Sequence, residues 1–140
     1  MRANEKMKIL DYKLYYFLGI GGIGMSALAR YFNHFGKTVQ GYDKTSTTLT
    51  SQLQKENIAC HFSEEVDNLK KLLSSYEKGE VLIVYTPAVP KNHTEYNFLL
   101  ENVPGKIYVN AKNIFNYNYI EFIGNVAPIR NYSFSFEIFF

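Results

Sequence analysis

Residues 15–29 read Tyr15-Tyr16-Phe17-Leu18-Gly19-Ile20-Gly21-Gly22-Ile23-Gly24-Met25-Ser26-Ala27-Leu28-Ala29. An apolar, strand-like run enters a glycine turn, and a helix-like run leaves it. Gly19, Gly21 and Gly24 fit G-x-G-x-x-G, the turn that sets phosphates on a helix N-terminus. The three glycines have separate expected jobs. Gly19 allows the tight turn, Gly21 lets backbone approach a diphosphate, and Gly24 lets the helix pack closely on the strand. The exposed N–H groups and the positive end of the helix dipole then favour an anion. A nucleotide-like diphosphate is the ligand this turn implies.

Working outward, residues 13–20 read as a buried first strand and residues 23–35 as the first helix. Met25, Leu28, Ala29 and Phe32 form one apolar stripe at i, i+3, i+4 and i+7. Gly36 is a natural helix stop. Residues 38–42 read as a second strand with Asp43 just past its end. A polar turn at 44–47 offers several N-caps, and Leu49 and Leu53 share the next helix face. Residues 58–61 read as a third strand, 66–76 as a helix ended by Gly79, and 81–85 (Val-Leu-Ile-Val-Tyr) as the clearest buried strand. Thr86-Pro87-Ala88-Val89-Pro90 is a stiff loop that cannot continue a ladder. Tyr96, Leu99 and Leu100 mark a short helix, and residues 107–109 a fifth strand. Strict alternation of strand and helix implies an α/β fold, a parallel right-handed sheet flanked by helices. In such a sheet ligands bind at the carboxyl ends of strands. The glycine turn, Asp43 and the 86–90 loop all fall at such ends.

The chain has 140 residues, 46% hydrophobic and 20% charged, so one globular domain is expected. The net charge of +2 argues for neither nucleic acid nor a membrane surface as partner. Apolar runs are too short to span a bilayer, and residues 1–8 lack a signal-peptide core. A single cysteine, Cys60, excludes an internal disulfide and fits a cytoplasmic location. No Cys/His cluster has metal-ligand spacing, so no metal site is expected. After Pro104 the composition shifts to Asn, Tyr, Phe and Ile without helical period, and an irregular aromatic-rich C-terminal tail is expected. Residues 119–123 read as a strand, and 132–140 alternate like an edge strand.

Gly19-Ile20-Gly21-Gly22-Ile23-Gly24-Met25-Ser26 resembles the opening of the Mur ligases of peptidoglycan synthesis, in particular those that add L-alanine. Gln40-Gly41-Tyr42-Asp43 is similar to that family's second-strand ending, a Gly-x-Asp. Tyr85-Thr86-Pro87-Ala88-Val89-Pro90, with His93 and Glu95 after it, resembles the fourth-strand loop, and Val103-Pro104 the approach to the fifth strand. The resemblance covers residues 12–104 with spacing intact. It implies a Rossmann-like domain over 12–104 that holds the UDP-sugar UDP-N-acetylmuramate. Residues 105–140 would then be a divergent tail, a remnant of the start of the ATP-binding domain. In the full-length family, ATP and Mg2+ are held by a P-loop domain. An acyl-phosphate forms on the muramoyl carboxylate and L-alanine attacks it. No Gly-Lys-Thr or Gly-Lys-Ser occurs in this sequence. Ile123-Gly124-Asn125 stands about where the P-loop strand would begin, with no lysine or hydroxyl following in place to hold phosphate and metal. The tail reads as truncated, rearranged or translated out of frame. The chain alone is therefore expected to bind no cofactor, to reach L-alanine and ATP only through missing domains, and to be inactive by itself.

The expected substrate-binding residues are Gly19, Gly21, Gly22, Ile23, Gly24, Met25, Ser26, Asp43, Thr45, Thr86, Pro87, Ala88 and His93; no catalytic residue is expected. Each has a plainer alternative. The glycines serve either a diphosphate cradle or only a tight turn. Ser26 either donates to a phosphate oxygen or caps the helix, and Thr45 either offers a hydroxyl or caps. Asp43 lies where an acidic residue meets ribose hydroxyls, or it is a solvated turn carboxylate. Residues 86–88 wall the nucleotide or form a rigid turn. His93 belongs to the family pattern or is a surface or capping histidine. Cys60, His34 and His61 read as structural, and Glu64 and Glu65 as a solvated helix face. A second function class, the NAD(P)-binding domain of an oxidoreductase or redox sensor, would use the same glycine turn and Asp43. Residues 22, 25–26 and 86–90 favour the UDP-sugar.

Overall fold

The computed structural model describes residues 9–114, 117–121 and 135–139. Five strands run parallel: β1 (Leu14–Leu18), β2 (Thr38–Tyr42), β3 (Ala59–His61), β4 (Val81–Tyr85) and β5 (Gly105–Ile114), in the order β3-β2-β1-β4-β5. Four helices join them: α1 (Ile23–His34), α2 (Thr48–Lys55), α3 (Val66–Ser74) and α4 (Thr94–Asn102). The chain winds outward from β1 to β3, then returns to the other side of β1 at β4. The crevice between the ends of β1 and β4 is therefore the topological switch point.

The β1 sequence explains why both sheet faces are covered. All five of its residues are buried. Tyr15 and Phe17 pack with Met25, Ala29 and Phe32 of α1 and Leu53 of α2. Leu14, Tyr16 and Leu18 pack with Leu69 of α3 and Leu99 of α4. A continuous apolar run in place of an alternating one is what a strand buried on both faces needs. The Tyr15 ring stacks on Phe32 at 4.1 Å between centroids, fixing α1 over the sheet.

Helix α1 ends as read. Gly36 takes φ +73°, its N–H bonds Asn33 O, and the Lys37 N–H reaches back to Phe32 O, a Schellman closure. Helix α2 starts with a capping box in which the Thr47 and Thr50 side chains serve each other's backbone N–H. Of the candidates in the 44–47 turn, Thr47 is the cap.

The sheet continues past Pro104. Ile107 and Val109 of β5 are core residues. Beyond them the expected irregular tail carries two strands, β6 (Tyr117–Glu121) and β7 (Ser135–Phe139), both antiparallel to β5. Their registers divide β5, with Asn110–Ile114 facing β6 and Lys106–Asn110 facing β7. An edge strand offers unpaired N–H and C=O groups, and alternating segments satisfy them. Residues 1–8 and the Ile123-Gly124-Asn125 stretch lie outside the described residues.

Candidate functional site

The glycine turn is pinned to the end of β2. The N–H groups of Gly19 and Ile20 both bond Tyr42 O, at 2.8 and 3.0 Å, and Gly22 N–H closes on Gly19 O at 3.2 Å. Gly19 has φ +89°, a conformation L side chains rarely adopt, so the turn needs glycine there. Gly22 is the N-cap of α1 and supplies no side-chain cap; the first turn of α1 holds no acidic residue. The leading N–H groups of α1 therefore have neither an intrahelical partner nor a side-chain partner. By contrast α2 and α4 are both capped by side chains.

Asp43 holds this turn from below. Its Oδ2 accepts the Gly21 N–H at 2.7 Å and its Oδ1 accepts the Thr45 N–H at 3.1 Å. A Cβ on Gly21 would lie 2.7 Å from that Oδ2 and 3.0 Å from Thr50 Cγ2. The space that sequence reading assigned to a diphosphate is filled at Gly21 by the Asp43 carboxylate. Thr45 is exposed and meets Asp43 through its backbone. Ser26 is buried, and its hydroxyl donates to Ile23 O at 2.9 Å. Gly21, Ser26 and Thr45 thus stand behind or beside the cleft, and Ser26 is neither cap nor lining. Asp43→Ala is expected to cost about 1–2 kcal/mol in urea unfolding, because two N–H groups lose a charged acceptor. Asp43→Asn, which keeps an acceptor, should recover part of that. Equal stability of Asp43→Ala and wild type would mean that the turn does not depend on this carboxylate.

The other expected residues converge. A cleft of about 490 Å3 is lined by Gly19, Gly22, Ile23, Gly24, Met25, Asp43, Thr86, Pro87, Ala88 and His93. It lies at the switch point, where a Cβ on Gly19 would meet Thr86 Oγ1 at 3.4 Å. Thr86 Oγ1 accepts the Ala88 N–H at 3.2 Å and Val89 N–H reaches Thr86 O at 3.3 Å, so the 86–90 loop is a closed turn forming one wall. Ile23, 69% exposed at the start of α1, forms an apolar lip.

Sequence reading missed Tyr42, Lys44 and Glu64, which also line the cleft. Glu64 read as a solvated helix face, but it precedes α3 in the loop after β3. That loop leaves the carboxyl end of a strand, and its position was the available signal. The Glu64 Oε2 accepts both the backbone N–H and the hydroxyl of Thr94, at 3.1 and 2.6 Å. These bonds hold its carboxyl below the usual range.

His93 has two roles. Its Nδ1 accepts the Tyr96 N–H at 3.3 Å, capping α4. It is 2% exposed, with the Tyr42 ring edge-on at 4.5 Å. With Nδ1 accepting, the proton of the neutral ring sits on Nε2. That Nε2 is the one buried side-chain polar atom among the described residues with no hydrogen-bond partner; Glu64 Oε1 lies 3.7 Å away.

Behind this wall Glu95, fully buried, gathers three donors. It bonds the Tyr16 hydroxyl, His61 Nε2 at 3.0 and 3.1 Å, and the Glu65 N–H at 3.0 Å. Burial alone would raise its pKa, but these bonds, His61 and Tyr16 foremost, carry it below the ordinary value. Burial, reinforced by the neighbouring Glu95 charge, pushes the Tyr16 phenol far up. Burial also raises the Cys60 thiol to about 11, so it is not a thiolate at neutral pH. Among the described residues, no group of three or more His, Cys, Asp or Glu is placed to hold a metal ion, and no helix is long and apolar enough to cross a membrane.

Comparison with known proteins agrees with this α/β fold. The chain is 55% identical over 86 residues to UDP-N-acetylmuramate–L-alanine ligase of Flavobacterium psychrophilum, covering 61% of this chain and 18% of that protein. It is 49% identical over 94 residues to the ligase of the same name from Christiangramia forsetii, covering 66% and 21%. Among solved structures it resembles the UDP-N-acetylmuramate–alanine ligase MurC of Thermotoga maritima, with a TM-score of 0.53, 31% identity, and 69% of this chain and 20% of that one covered. The chain thus spans about a fifth of the length of these relatives. The model of the Mur ligase family, catalytic domain, matches residues 14–124, from the first residue of β1 through the sheet, and the chain belongs to the Mur ligase family.

Proposed function

We propose that this chain is the part of an L-alanine-adding Mur ligase that holds UDP-N-acetylmuramate, with the diphosphate on the N-terminus of α1. The supporting observation is that helix terminus. It opens into the cleft with no side-chain cap and no acidic residue in its first turn. Helix dipole and free N–H groups there favour an anion by about 0.3–1 kcal/mol at an exposed site and more when partly buried. Lys44 at the cleft adds a cation. The nucleoside would extend toward Tyr42, Glu64 and His93, and Ile23 and the 86–90 loop would exclude water from its sides. The names of the relatives support the choice of sugar nucleotide and of L-alanine as the amino acid joined to it in peptidoglycan synthesis. The single cysteine suits a cytoplasmic setting.

ATP and Mg2+ belong to the full-length family reaction. The sequence has no Gly-Lys-Ser or Gly-Lys-Thr, the lysine and hydroxyl with which a P-loop would hold them. The contribution of this chain is binding and orientation: α1 fixes the diphosphate, and the side walls fix the nucleoside.

Saturation-transfer NMR on the 140-residue chain, with UDP-N-acetylmuramate and NAD in competition, tests this. Transfer to uridine and muramoyl protons that NAD does not displace is the expected result. Transfer to NAD alone would replace the proposal with a dinucleotide site. Silence from both in a folded sample would remove the cleft as a nucleotide site in this chain.

A further inference from the structure

The starts of α3 and α4 exchange carboxylates. Glu64 Oε2, just before α3, accepts the backbone N–H and the hydroxyl of Thr94, the first residue of α4, at 3.1 and 2.6 Å. Glu95 Oε2, on the second residue of α4, accepts the N–H of Glu65, the N-cap of α3, at 3.0 Å. Both pairs span 30 residues of sequence. Glu65 supplies no side-chain cap to its own helix. The leading N–H groups of a helix need acceptors and favour an anion. A local cap would satisfy them and fix only its own helix. A cap taken from the neighbouring helix also fixes the two helix starts relative to each other.

The exchange is tied to the sheet at one end and opens onto the cleft at the other. Glu95 is fully buried and also holds Tyr16 of β1 and His61 of β3, so it cannot shift without disturbing two strands. Glu64 lines the cleft, with its Oε1 3.7 Å from Nε2 of His93 at the start of α4. Glu95 stands behind that lining. Its reach into the cleft is indirect, through the Glu65 N–H and the backbone that carries Glu64.

We propose that Glu95 is a positioning residue for the cleft: together with the Glu64–Thr94 bonds it locks the starts of α3 and α4 into one preset wall. The inference rests on the ligand site proposed above and adds the device that orders it before binding. A ligand that meets a preset wall loses no binding energy to ordering two loops and a glutamate side chain. Cutting either set of bonds therefore weakens binding whether or not it lowers stability.

The test titrates the 140-residue chain with UDP-N-acetylmuramate by NMR, beside thermal melting by circular dichroism. Thr94→Pro removes both donors to Glu64. Thr94 is exposed, the first position of a helix accepts proline, and His93, at φ −65° and ψ 126°, already has the backbone that precedes one. The variant is expected to melt no lower than wild type and yet to bind about fivefold more weakly, the order of one net hydrogen bond. Glu95→Met, assayed at a temperature where it is folded, should lose at least as much affinity. Tyr16→Phe is the control. It takes one donor from Glu95 and leaves both exchanged bonds in place, so it should lower the melting temperature and leave affinity unchanged. A network that serves stability alone predicts instead that affinity follows melting temperature across the three. Wild-type affinity in folded Thr94→Pro overturns the inference. So does a loss of affinity in Tyr16→Phe equal to that in Glu95→Met. If Glu95→Met does not fold, Thr94→Pro decides alone. If wild type itself does not bind UDP-N-acetylmuramate, the site proposed above fails and this inference falls with it.

Discussion

Glu95→Ala is expected to destabilise the fold by about 3–5 kcal/mol, the range for removing one partner of a buried charged network. The argument starts from position. Glu95 is the second residue of α4, yet it is fully buried and meets Tyr16 of β1, His61 of β3 and the backbone at the start of α3. Deleting it leaves the Glu65 N–H without an acceptor and the Tyr16 hydroxyl with only the His61 Nε2, 3.1 Å away, in reach; an unsatisfied buried group costs about 1–3 kcal/mol. Tyr16 cannot relieve the loss by ionising, because burial, the largest cause of its raised pKa, still holds its phenol protonated. Glu95→Gln keeps the shape and an acceptor and should cost less. The two also separate by pH. The folded pKa of Glu95 lies below its unfolded value, taken as 4.5, so its contribution is present above pH 4.5 and is lost as pH falls through the lower folded value. The stability gap between wild type and Glu95→Gln should therefore narrow on acidification below pH 4.5. Urea unfolding at a series of pH values measures it. A gap independent of pH would mean that the charge on Glu95 contributes nothing and only its shape matters.

This network also shows where sequence reading ran out. The strands β2 and β4 fall on the residues expected: β4 is an apolar, β-branched run ending at a proline-containing loop, and β2 (Thr-Val-Gln-Gly-Tyr) opens on two β-branched residues just after the Gly36 helix stop and ends at a polar turn. The glycine turn, Asp43 and the 86–90 loop were legible as one crevice because the alternation of strand and helix sends all three to the carboxyl ends of parallel strands. The roles inside that crevice were less legible. An acidic residue in a helix's first turn reads as a surface partner for the dipole, and nothing local marks Glu95 as buried. Its burial is set by Tyr16, 79 residues earlier. Glu64 read as solvent-facing for the same reason, since its anchor, Thr94, is 30 residues away. Asp43 was found, but its partner Gly21 was assigned to the ligand; only the folded turn shows that the missing Cβ makes room for a carboxylate. In each case a polar side chain took its meaning from a partner far away in sequence, where periodicity carries no information.

Gly41→Ala is expected to abolish cooperative folding or to cost about 3 kcal/mol or more, and the reason lies in the backbone of the sheet. Gly41 sits in β2 directly beside Phe17 of β1. A Cβ there would be 2.4 Å from Phe17 O and 2.8 Å from Phe17 Cβ. The first contact is with a carbonyl oxygen in the most buried strand, which no rotamer change can move, so the strand pair itself must separate. Gly105 provides a graded comparison. Its added Cβ would meet the Tyr12 ring at 2.9 Å, and a half-exposed side chain at the edge of the core can tilt aside. Gly105→Ala should therefore cost less than Gly41→Ala. Gly79→Ala, with nothing within 4 Å of the new methyl, should be neutral or slightly stabilising. Thermal unfolding of the three variants by circular dichroism ranks them, and a Gly41→Ala chain as stable as Gly79→Ala would refute the close approach of β1 and β2. The same substitution bears on the site. The end of β2 carries the Tyr42 carbonyl that accepts both Gly19 N–H and Ile20 N–H. A β2 pushed away from β1 takes that carbonyl with it, and the glycine turn loses the anchor that aims the N-terminus of α1 into the cleft. Any Gly41→Ala protein that does fold should therefore bind UDP-N-acetylmuramate more weakly than its residual stability alone would suggest.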